Sequence, residues 1–223
     1  MSNRSIAGST TSLEPGPRKI GEQDAIQDKG GATRKAILAA TAALLAEQGL
    51  GATRTRDVTA RAGVSTGLLN HYFTWGALRA EALGLALREG LDAVLPEVGA
   101  TLPDPRRDLA ALAQGAFEQG SDPLWRLWVE ATEAAPADPG VAAVLAQATG
   151  DLVGRIADRL DLGVRRGLWR CADPKGAAFR LMALHDGLAG LILSGLPGLS
   201  RADASAHLAA ALALECPPTE GPQ

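Results

Sequence analysis

The chain has few cysteines and no long apolar segment, and both shortages narrow the classes of protein to which it can belong. Its 223 residues include two cysteines, Cys171 and Cys216, which lie far apart without a CxxC pair or a nearby histidine. This arrangement indicates neither a disulfide framework nor a zinc site. The longest apolar stretches, such as GLAGLILSGL, are about half as long as a bilayer span, and the N-terminus lacks the layout of a secretion signal. We therefore expect a cytoplasmic protein with no membrane partner.

Motifs of catalysis are missing from the sequence as well. No glycine-rich phosphate loop follows a strand, and the three histidines, His71, His185 and His207, belong to no recognisable nucleophile motif. His71 has no second metal ligand at helical spacing. An enzyme is therefore the least favoured function class, and we expect no catalytic residue, no cofactor and no metal.

The net charge of −3 conceals an uneven distribution. Residues 1–32 carry four basic and four acidic side chains, whereas residues 33–75 carry five basic and two acidic ones, a net charge of +3. The remaining residues hold thirteen basic and nineteen acidic side chains, a net charge of −6. A basic segment on an acidic body is the pattern expected of a polyanion-binding head attached to a part that does not bind polyanions.

Hydrophobic periodicity predicts an all-α fold of about nine helices, since no window alternates with period two for long enough to form a strand. Residues 1–32 are rich in Ser, Thr, Gly and Pro and are predicted to form a flexible arm. A first helix is predicted from Thr33, its N-cap, to just before Gly49, and a fourth from Trp75, capped by Thr74, to Pro96. Pro- and Gly-bearing breaks separate further helices at about 105–119, 122–134, 138–160, 174–195 and 200–215.

Two short helices joined by a glycine-containing turn form a predicted helix-turn-helix over TRTRDVTARAGVSTGLLNHYF. Thr55 is the predicted N-cap of the second helix, Gly63 ends it, and Ser65 caps the third. The inward face of the third helix is assigned to Leu68, Leu69 and Phe73, and its outward face to Thr66, Gly67, Asn70 and His71. The chain has only eight aromatic residues, and three of them stand where this helix ends and the fourth begins, where we expect them to stiffen the joint: Tyr72, Phe73 and Trp75.

The stretch TRKAILAATAALLAEQGLGATRTRDVTARAGVSTGLLNHYF resembles the DNA-binding domain of the TetR family of bacterial transcriptional regulators. The shared features are the Ala-rich first helix, the glycine after it, the AGVS turn and the terminal Tyr-Phe pair. The later stretch GVRRGLWRCADPKGAAFRLMALHDGLAGLILSG is similar to the C-terminal domain of the family's BetI-like branch. Membership implies a three-helix DNA-binding head, a connecting fourth helix, a larger helical body and a homodimer held by the last two long helices. The predicted domains are an arm (1–32), a helix-turn-helix head (33–75), an effector-binding and dimerisation domain (76–216) and a disordered tail (217–223).

The resemblance assigns contacts with a double-stranded DNA operator to the head. Arg56 is the candidate for a bidentate guanine contact, and the start of the recognition helix lets backbone amides approach phosphates. Other basic residues add sequence-independent attraction. Gly76 stands where many family members carry a phosphate-binding lysine, and whether Arg79 replaces that lysine is open. The candidate DNA-contacting residues are Arg34, Lys35, Arg54, Thr55, Arg56, Ser65, Thr66, Gly67, Leu68, Asn70, His71 and Tyr72.

The resemblance also implies a cavity for an unidentified small-molecule effector between roughly residues 100 and 195. Trp125 and Trp128 lie one helical turn apart and accompany Glu130, an arrangement that can hold a quaternary ammonium by cation–π attraction, although ordinary core packing explains the same rings. The candidate effector-binding residues are Phe117, Trp125, Trp128, Met182 and His185.

These features predict a homodimeric repressor that binds a near-palindromic operator and is released by its effector. The alternative is a helix-turn-helix DNA-binding protein that has no small-molecule effector and is controlled by a protein partner. The sequence leaves open the choice between repressor and activator.

Overall fold

The computed structural model describes residues 20–95 and 104–219, and of residues 20–29 it describes only the backbone. These residues form nine α-helices and one 3₁₀ turn, Gln119–Ser121, and no strand occurs among them, which confirms the all-α prediction. The helices, in chain order, are α1 (Ile20–Gln48), α2 (Thr55–Ala62), α3 (Thr66–Tyr72), α4 (Trp75–Val94), α5 (Pro105–Gly115), α6 (Asp122–Ala134), α7 (Pro139–Arg165), α8 (Pro174–Leu193) and α9 (Arg201–Glu215).

Helix α1 begins at Ile20, so the predicted start at Thr33 is wrong. No proline follows Pro17 until after the helix has ended, and the Ala-rich downstream half consists of strong helix formers, so the helix extends upstream through three glycines. Residues 20–32 are therefore helical, and the rest of the predicted arm, residues 1–19, lies outside the described residues. The chain divides into two units, Met1–Lys35 and Ala36–Gln223, and the contacts described below lie within the second.

The N-cap of α2 is Arg54 and not Thr55 as predicted. Asp57 supplies the contact in place of the threonine hydroxyl, because its carboxylate accepts the backbone N–H of Arg54 at 3.2 Å. Two of the predicted caps are confirmed: Ser65 Oγ accepts the N–H of Leu68 at 3.1 Å at the start of α3. Thr74 caps α4 in the same way. Each hydroxyl satisfies an amide that has no partner inside its helix.

Two helix ends and the C-terminal tail of the body differ from the sequence prediction. Helix α5 ends at Gly115 and not near 119, because the indole Nε1 of Trp125 takes up the Ala116 carbonyl at 2.7 Å and a 3₁₀ turn follows. Helix α7 continues to Arg165, since the first left-handed residue after it is Gly167, with φ of 66°. The predicted disordered tail is wrong for residues 217–219, which pair with residues 168–170, and residues 220–223 lie outside the described residues.

The buried apolar side chains of the second unit form three clusters. The head core joins α1–α4 through Ile37, Leu44, Val58, Leu69, Phe73 and Leu78. A middle cluster connects α1, α4, α6 and α7, with Leu45, Leu83 and Leu127 completely buried. The largest cluster fills the body between α5, α7, α8 and α9. Within the described residues, α8 is the one helix long and apolar enough to cross a membrane, but seven of its residues are buried, mostly in this body cluster.

Candidate nucleic-acid interface and ligand cavity

The turn between α2 and α3 orients α3 on the head core. Gly63 has φ of 64°, a left-handed conformation that costs glycine little, and the N–H of Val64 returns to the Thr59 carbonyl at 3.1 Å. Leu69 is completely buried and Phe73 is 5% exposed, so the inner side of α3 is fixed in the core. The opposite side of a short helix anchored in this way is left free to enter a groove.

The residues predicted to face outward on α3 are all exposed. The inward assignment of Leu68 is wrong: this residue, which also belongs to the predicted DNA-contacting set, is 39% exposed and lies on the outer side. Tyr72 is half-buried against the head core and its ring meets that of His71 edge-on at 5.1 Å. The residues exposed along this face are Ser65, Thr66, Gly67, Leu68, Asn70 and His71.

The three arginines around α2 are used differently in the fold. The Arg56 side chain is 87% exposed and lies 3.5 Å from the Asp57 carboxylate. The Arg54 guanidinium donates to the carbonyls of Gly51 and Thr53 instead, so it is tied to the loop that precedes α2. Arg61 forms two hydrogen bonds with Glu47 on α1, at 2.8 and 2.7 Å, which raise the pKa of Arg61 and lower that of Glu47.

The remaining predicted DNA-contacting residues lie on α1 and at the start of α2. Lys35 is exposed, whereas Arg34 and Thr55 are partly exposed. Arg34 and Lys35 belong to the first unit of the chain and are described by themselves.

A cavity of about 370 Å³ lies in the second unit, a volume within the range of small-molecule sites. Its walls come from α4, α6 and α7, with smaller contributions from α1, α5 and α8. Of the predicted effector residues, Trp125, Trp128 and His185 line it. Phe117 and Met182 are absent from its lining and pack in the body cluster, at 2% and 7% exposure. The Phe117 ring nevertheless supports the wall, because it lies 5.8 Å from the His185 ring.

The cavity has more acidic than basic side chains. Its lining includes the carboxylates of Glu81, Asp151 and Asp186 but only one guanidinium, that of Arg88. Asp186 lies 3.1 Å from Nδ1 of His185, whose ring meets that of Trp125 at 4.6 Å. The sequence analysis missed Glu81, Arg88 and Asp151, which lie on α4 and α7, outside the tryptophan-bearing segment that drew attention.

Glu130 does not join the cavity, although it follows Trp125 and Trp128 on α6. Its carboxylate accepts the backbone N–H of Gly51 at 3.1 Å, in the loop between α1 and α2. The same carboxylate occupies the space beside Gly49, where a Cβ would come within 2.3 Å of Oε1. A glycine is needed at position 49 for this approach and also for its φ of 88°.

Helix α4 contacts the same loop. Arg79 is half-buried and donates from Nη2 to the Leu50 carbonyl at 3.4 Å, so its guanidinium is turned toward residues 49–51. This contact gives no support to Arg79 as the substitute for a phosphate-binding lysine at Gly76. Two helices that wall the cavity, α4 and α6, thus both contact the loop that leads into α2.

Two family models match the chain along the parts described above. Residues 37–74 match the model of bacterial regulatory proteins of the tetR family, and residues 105–217 match that of the C-terminal domain of BetI-type transcriptional repressors. The second match alone covers half of the chain. The chain belongs to the TetR family. TetR-family proteins are DNA-binding transcription factors, so this protein is a transcriptional regulator and not an enzyme.

Solved structures of TetR-like regulators share the fold over most of their length. A regulator from Saccharomonospora viridis in complex with choline is 24% identical, with a TM-score of 0.68 over 83% of this chain and 98% of the other. A TetR-family regulator from Rhodococcus sp. is 28% identical, with a TM-score of 0.66 over 82% and 98%. A regulator from Pseudomonas aeruginosa PAO1 is 25% identical, with a TM-score of 0.62 over 82% and 89%. A comparison with curated proteins finds no match.

Proposed function

We propose that this TetR-family regulator is a cytoplasmic, homodimeric repressor that leaves its operator when a small cationic molecule fills the cavity. The observation that carries the proposal is the shared position of α4 and α6, which wall the cavity and also contact the loop at residues 49–51. A ligand that favours another arrangement of these helices changes the head through that loop.

The head binds DNA through the outer side of α3 and the start of α2. Asn70 and His71 are exposed and carry hydrogen-bonding groups for base edges or phosphates, and Arg56 is placed for a guanine contact. Thr66 and Gly67 leave the first amides of α3 accessible to a phosphate. Lys35 and Arg34 add sequence-independent attraction from α1.

Dimerisation is assigned to α8 and α9, on which large apolar side chains remain exposed. Phe179 is 57% exposed, Leu191 42% and Leu214 84%. Ala183 and Gly187 on α8 are exposed too, and such small residues let a second helix approach closely. A two-fold axis through this surface gives two copies of α3, which matches a near-palindromic operator.

The composition of the cavity supports a cationic effector. Three carboxylates against one guanidinium favour positive charge, and the ring of Trp128 supplies a face for cation–π attraction, worth on the order of 0.5–2 kcal/mol. Choline, present in the Saccharomonospora viridis structure, is a quaternary ammonium of this kind. That relative shares the fold of this chain, and the charges of this cavity support a cationic effector.

A thermal-shift titration with choline and larger quaternary ammonium ions, set beside neutral alcohols of equal size, tests the choice of effector. Binding to the folded state raises the melting temperature, by an amount that grows with ligand concentration. We expect the cations alone to stabilise the protein and to release it from operator DNA in a mobility-shift assay. Stabilisation by the neutral alcohols to the same degree contradicts a cationic effector, and no stabilisation by any ligand favours control by a protein partner.

A further inference from the structure

The segment before α8 runs antiparallel to the segment after α9. Trp169 and Pro218 form an isolated antiparallel bridge, and main-chain hydrogen bonds of 2.9 and 3.4 Å flank it on either side. Because residue 169 opposes residue 218, the same register places residue 171 opposite residue 216. Both of these positions are cysteines, and they are the two cysteines of the chain.

The register places the cysteines at a separation that a disulfide can span. The bridge at Trp169 and Pro218 is isolated and of the non-hydrogen-bonded type, and beyond it the two cysteines meet through their side chains, whose thiols are joined by a hydrogen bond. Two sulfurs in hydrogen-bond contact need only a small rotation of their side chains to reach the disulfide bond length of about 2.05 Å. Both thiols are free in this structure, and both side chains pack at the body cluster.

The two thiols differ in exposure. Cys216 is 7% exposed, and its burial, together with a hydrogen bond to Cys171, raises the pKa of Cys216 to about 12. Cys171 is half-buried, so it is the sulfur that a dissolved oxidant reaches first. An accessible thiol beside a resolving thiol is the arrangement found in reversible redox pairs.

We propose that Cys171 and Cys216 form a reversible disulfide in response to a peroxide-class oxidant. The Cys171 sulfur attacks the peroxide, the O–O bond breaks, and the products are a sulfenic acid at Cys171 and one water from hydrogen peroxide. The Cys216 sulfur then displaces the sulfenic oxygen, which leaves as a second water with the Cys216 proton. Two electrons pass from the sulfurs to the peroxide, and a cellular dithiol returns them when it reduces the bond.

The bond would fasten the C-terminal end of α9 to the segment before α8. It closes a loop that contains the whole of both helices, so it restricts the unfolded chain and stabilises the oxidised protein. Because cytoplasmic thiols are kept reduced, the bond would form only under oxidative stress. This inference is independent of the effector proposed for the cavity.

Mass spectrometry of the full-length protein after treatment with hydrogen peroxide tests the proposal. We expect the intact mass to fall by two hydrogen atoms, and proteolysis to release a peptide pair linked through Cys171 and Cys216. The melting temperature should rise by several degrees. Dithiothreitol should reverse all three changes. Cys216→Ser removes the resolving thiol, so after peroxide treatment this variant is expected to accumulate a dimedone-reactive sulfenic acid at Cys171. Its melting temperature should not rise. The proposal is overturned if peroxide leaves both wild-type thiols open to alkylation, or if the only disulfide joins two copies of the chain.

Discussion

The basic side chains of the head differ in their availability to DNA, because some of them already form hydrogen bonds within the fold. Arg61 is held by Glu47 and Arg54 by main-chain carbonyls, whereas the Arg56 side chain is almost fully exposed beside the small Asp57 carboxylate. An exposed pair of this kind contributes little to folding, so the guanidinium of Arg56 can exchange its partner for a guanine at low cost.

Replacing Arg56 with alanine should therefore weaken operator binding by roughly 1–3 kcal/mol and relax preference at one base pair. The matched control is Arg107→Ala, which removes the same charge from an exposed position of α5. Mobility shifts on the operator and on single-base variants measure both effects. If R56A binds all sequences less tightly by one common factor, Arg56 contacts phosphate and not a base.

Glu130 is the residue expected to couple the cavity to the head. Glu130→Ala removes the acceptor for the Gly51 amide, while Glu130→Gln keeps an oxygen there. E130A should bind the effector as the wild type does, as measured by thermal shift. The effector-dependent change in operator affinity, which is roughly 5- to 150-fold in coupled systems, should fall toward a factor of one.

The matched control for Glu130 is Glu133→Ala, an exposed carboxylate on the same helix. E133A and E130Q are expected to respond to the effector as the wild type does. A full response in E130A would remove this contact from the mechanism.

Sequence reasoning at the residue scale succeeded where local chemistry decides the outcome. The hydroxyl of Ser65 and the left-handed Gly63 were predictable because each serves amides or φ angles within a few residues. The direction of Glu130 was not, since its partner lies on a loop 79 positions away along the chain. Arg54 is the N-cap in place of Thr55 because the Asp57 carboxylate, three residues further on, accepts the Arg54 N–H.

At the scale of elements, the long helix α7 depends on one close approach. Gly163 is buried against Trp169, and a Cβ at this position would lie 1.9 Å from Cζ2 of the indole. The ring cannot move freely, because it is 8% exposed and its Nε1 donates to the Leu160 carbonyl at 2.9 Å.

Gly163→Ala should accordingly lower the free energy of unfolding by about 1–3 kcal/mol, the usual cost of overpacking. Gly154→Ala in the same helix is the control, because no atom lies within 4 Å of its Cβ position and its exposed site should gain about 0.5–1 kcal/mol from the lower backbone entropy of alanine. Urea denaturation of both variants measures the difference. Equal stability of the two proteins would contradict the packing described here.

Hydrophobic periodicity does not fix the boundaries of the helices, which depend on local sequence signals. The Pro-initiated helices α5, α6, α7 and α8 were placed within a residue or two at their starts, because proline and an adjacent aspartate or serine mark a helix N-terminus chemically. The start of α1 has no such local sequence signal, and neither do the acidic residues that line the cavity. Glu81 and Asp151 face one space only because α4 and α7 pack together, which a single sequence does not specify.

At the scale of the whole molecule, ion pairs between distant elements link stability to pH. Arg201 on α9 forms two hydrogen bonds of 2.8 Å with Asp122 on α6, and this contact lowers the pKa of the Asp122 carboxyl. The Arg180 guanidinium on α8 lowers the pKa of Glu215 on α9 in the same way. A carboxyl whose pKa is lowered by folding stabilises the folded state above its unfolded pKa, and this contribution is lost as the pH falls through the folded value.

These pairs should therefore leave the melting temperature almost unchanged between pH 7 and about 5. The melting temperature should decrease once the pH is below about 4. Asp122→Asn should melt lower than the wild type at pH 7 and lose less between pH 5 and 3, since one titrating pair is gone. Glu89→Gln, at an exposed position of α4, serves as the control and should follow the wild-type curve. Parallel curves for D122N and the wild type would show that this pair does not contribute to the acid transition.

The central claim is that two copies of the head insert α3 into successive major grooves of one duplex. Selection of bound sequences from a random duplex pool, performed at physiological salt with the full-length protein, tests it most directly. We predict enrichment of a near-palindromic site whose half-sites lie about one helical turn apart or a multiple of it, with affinity that falls steeply as salt rises. Recovery of a pool without sequence preference, or of a single half-site bound by a monomer, would contradict the account.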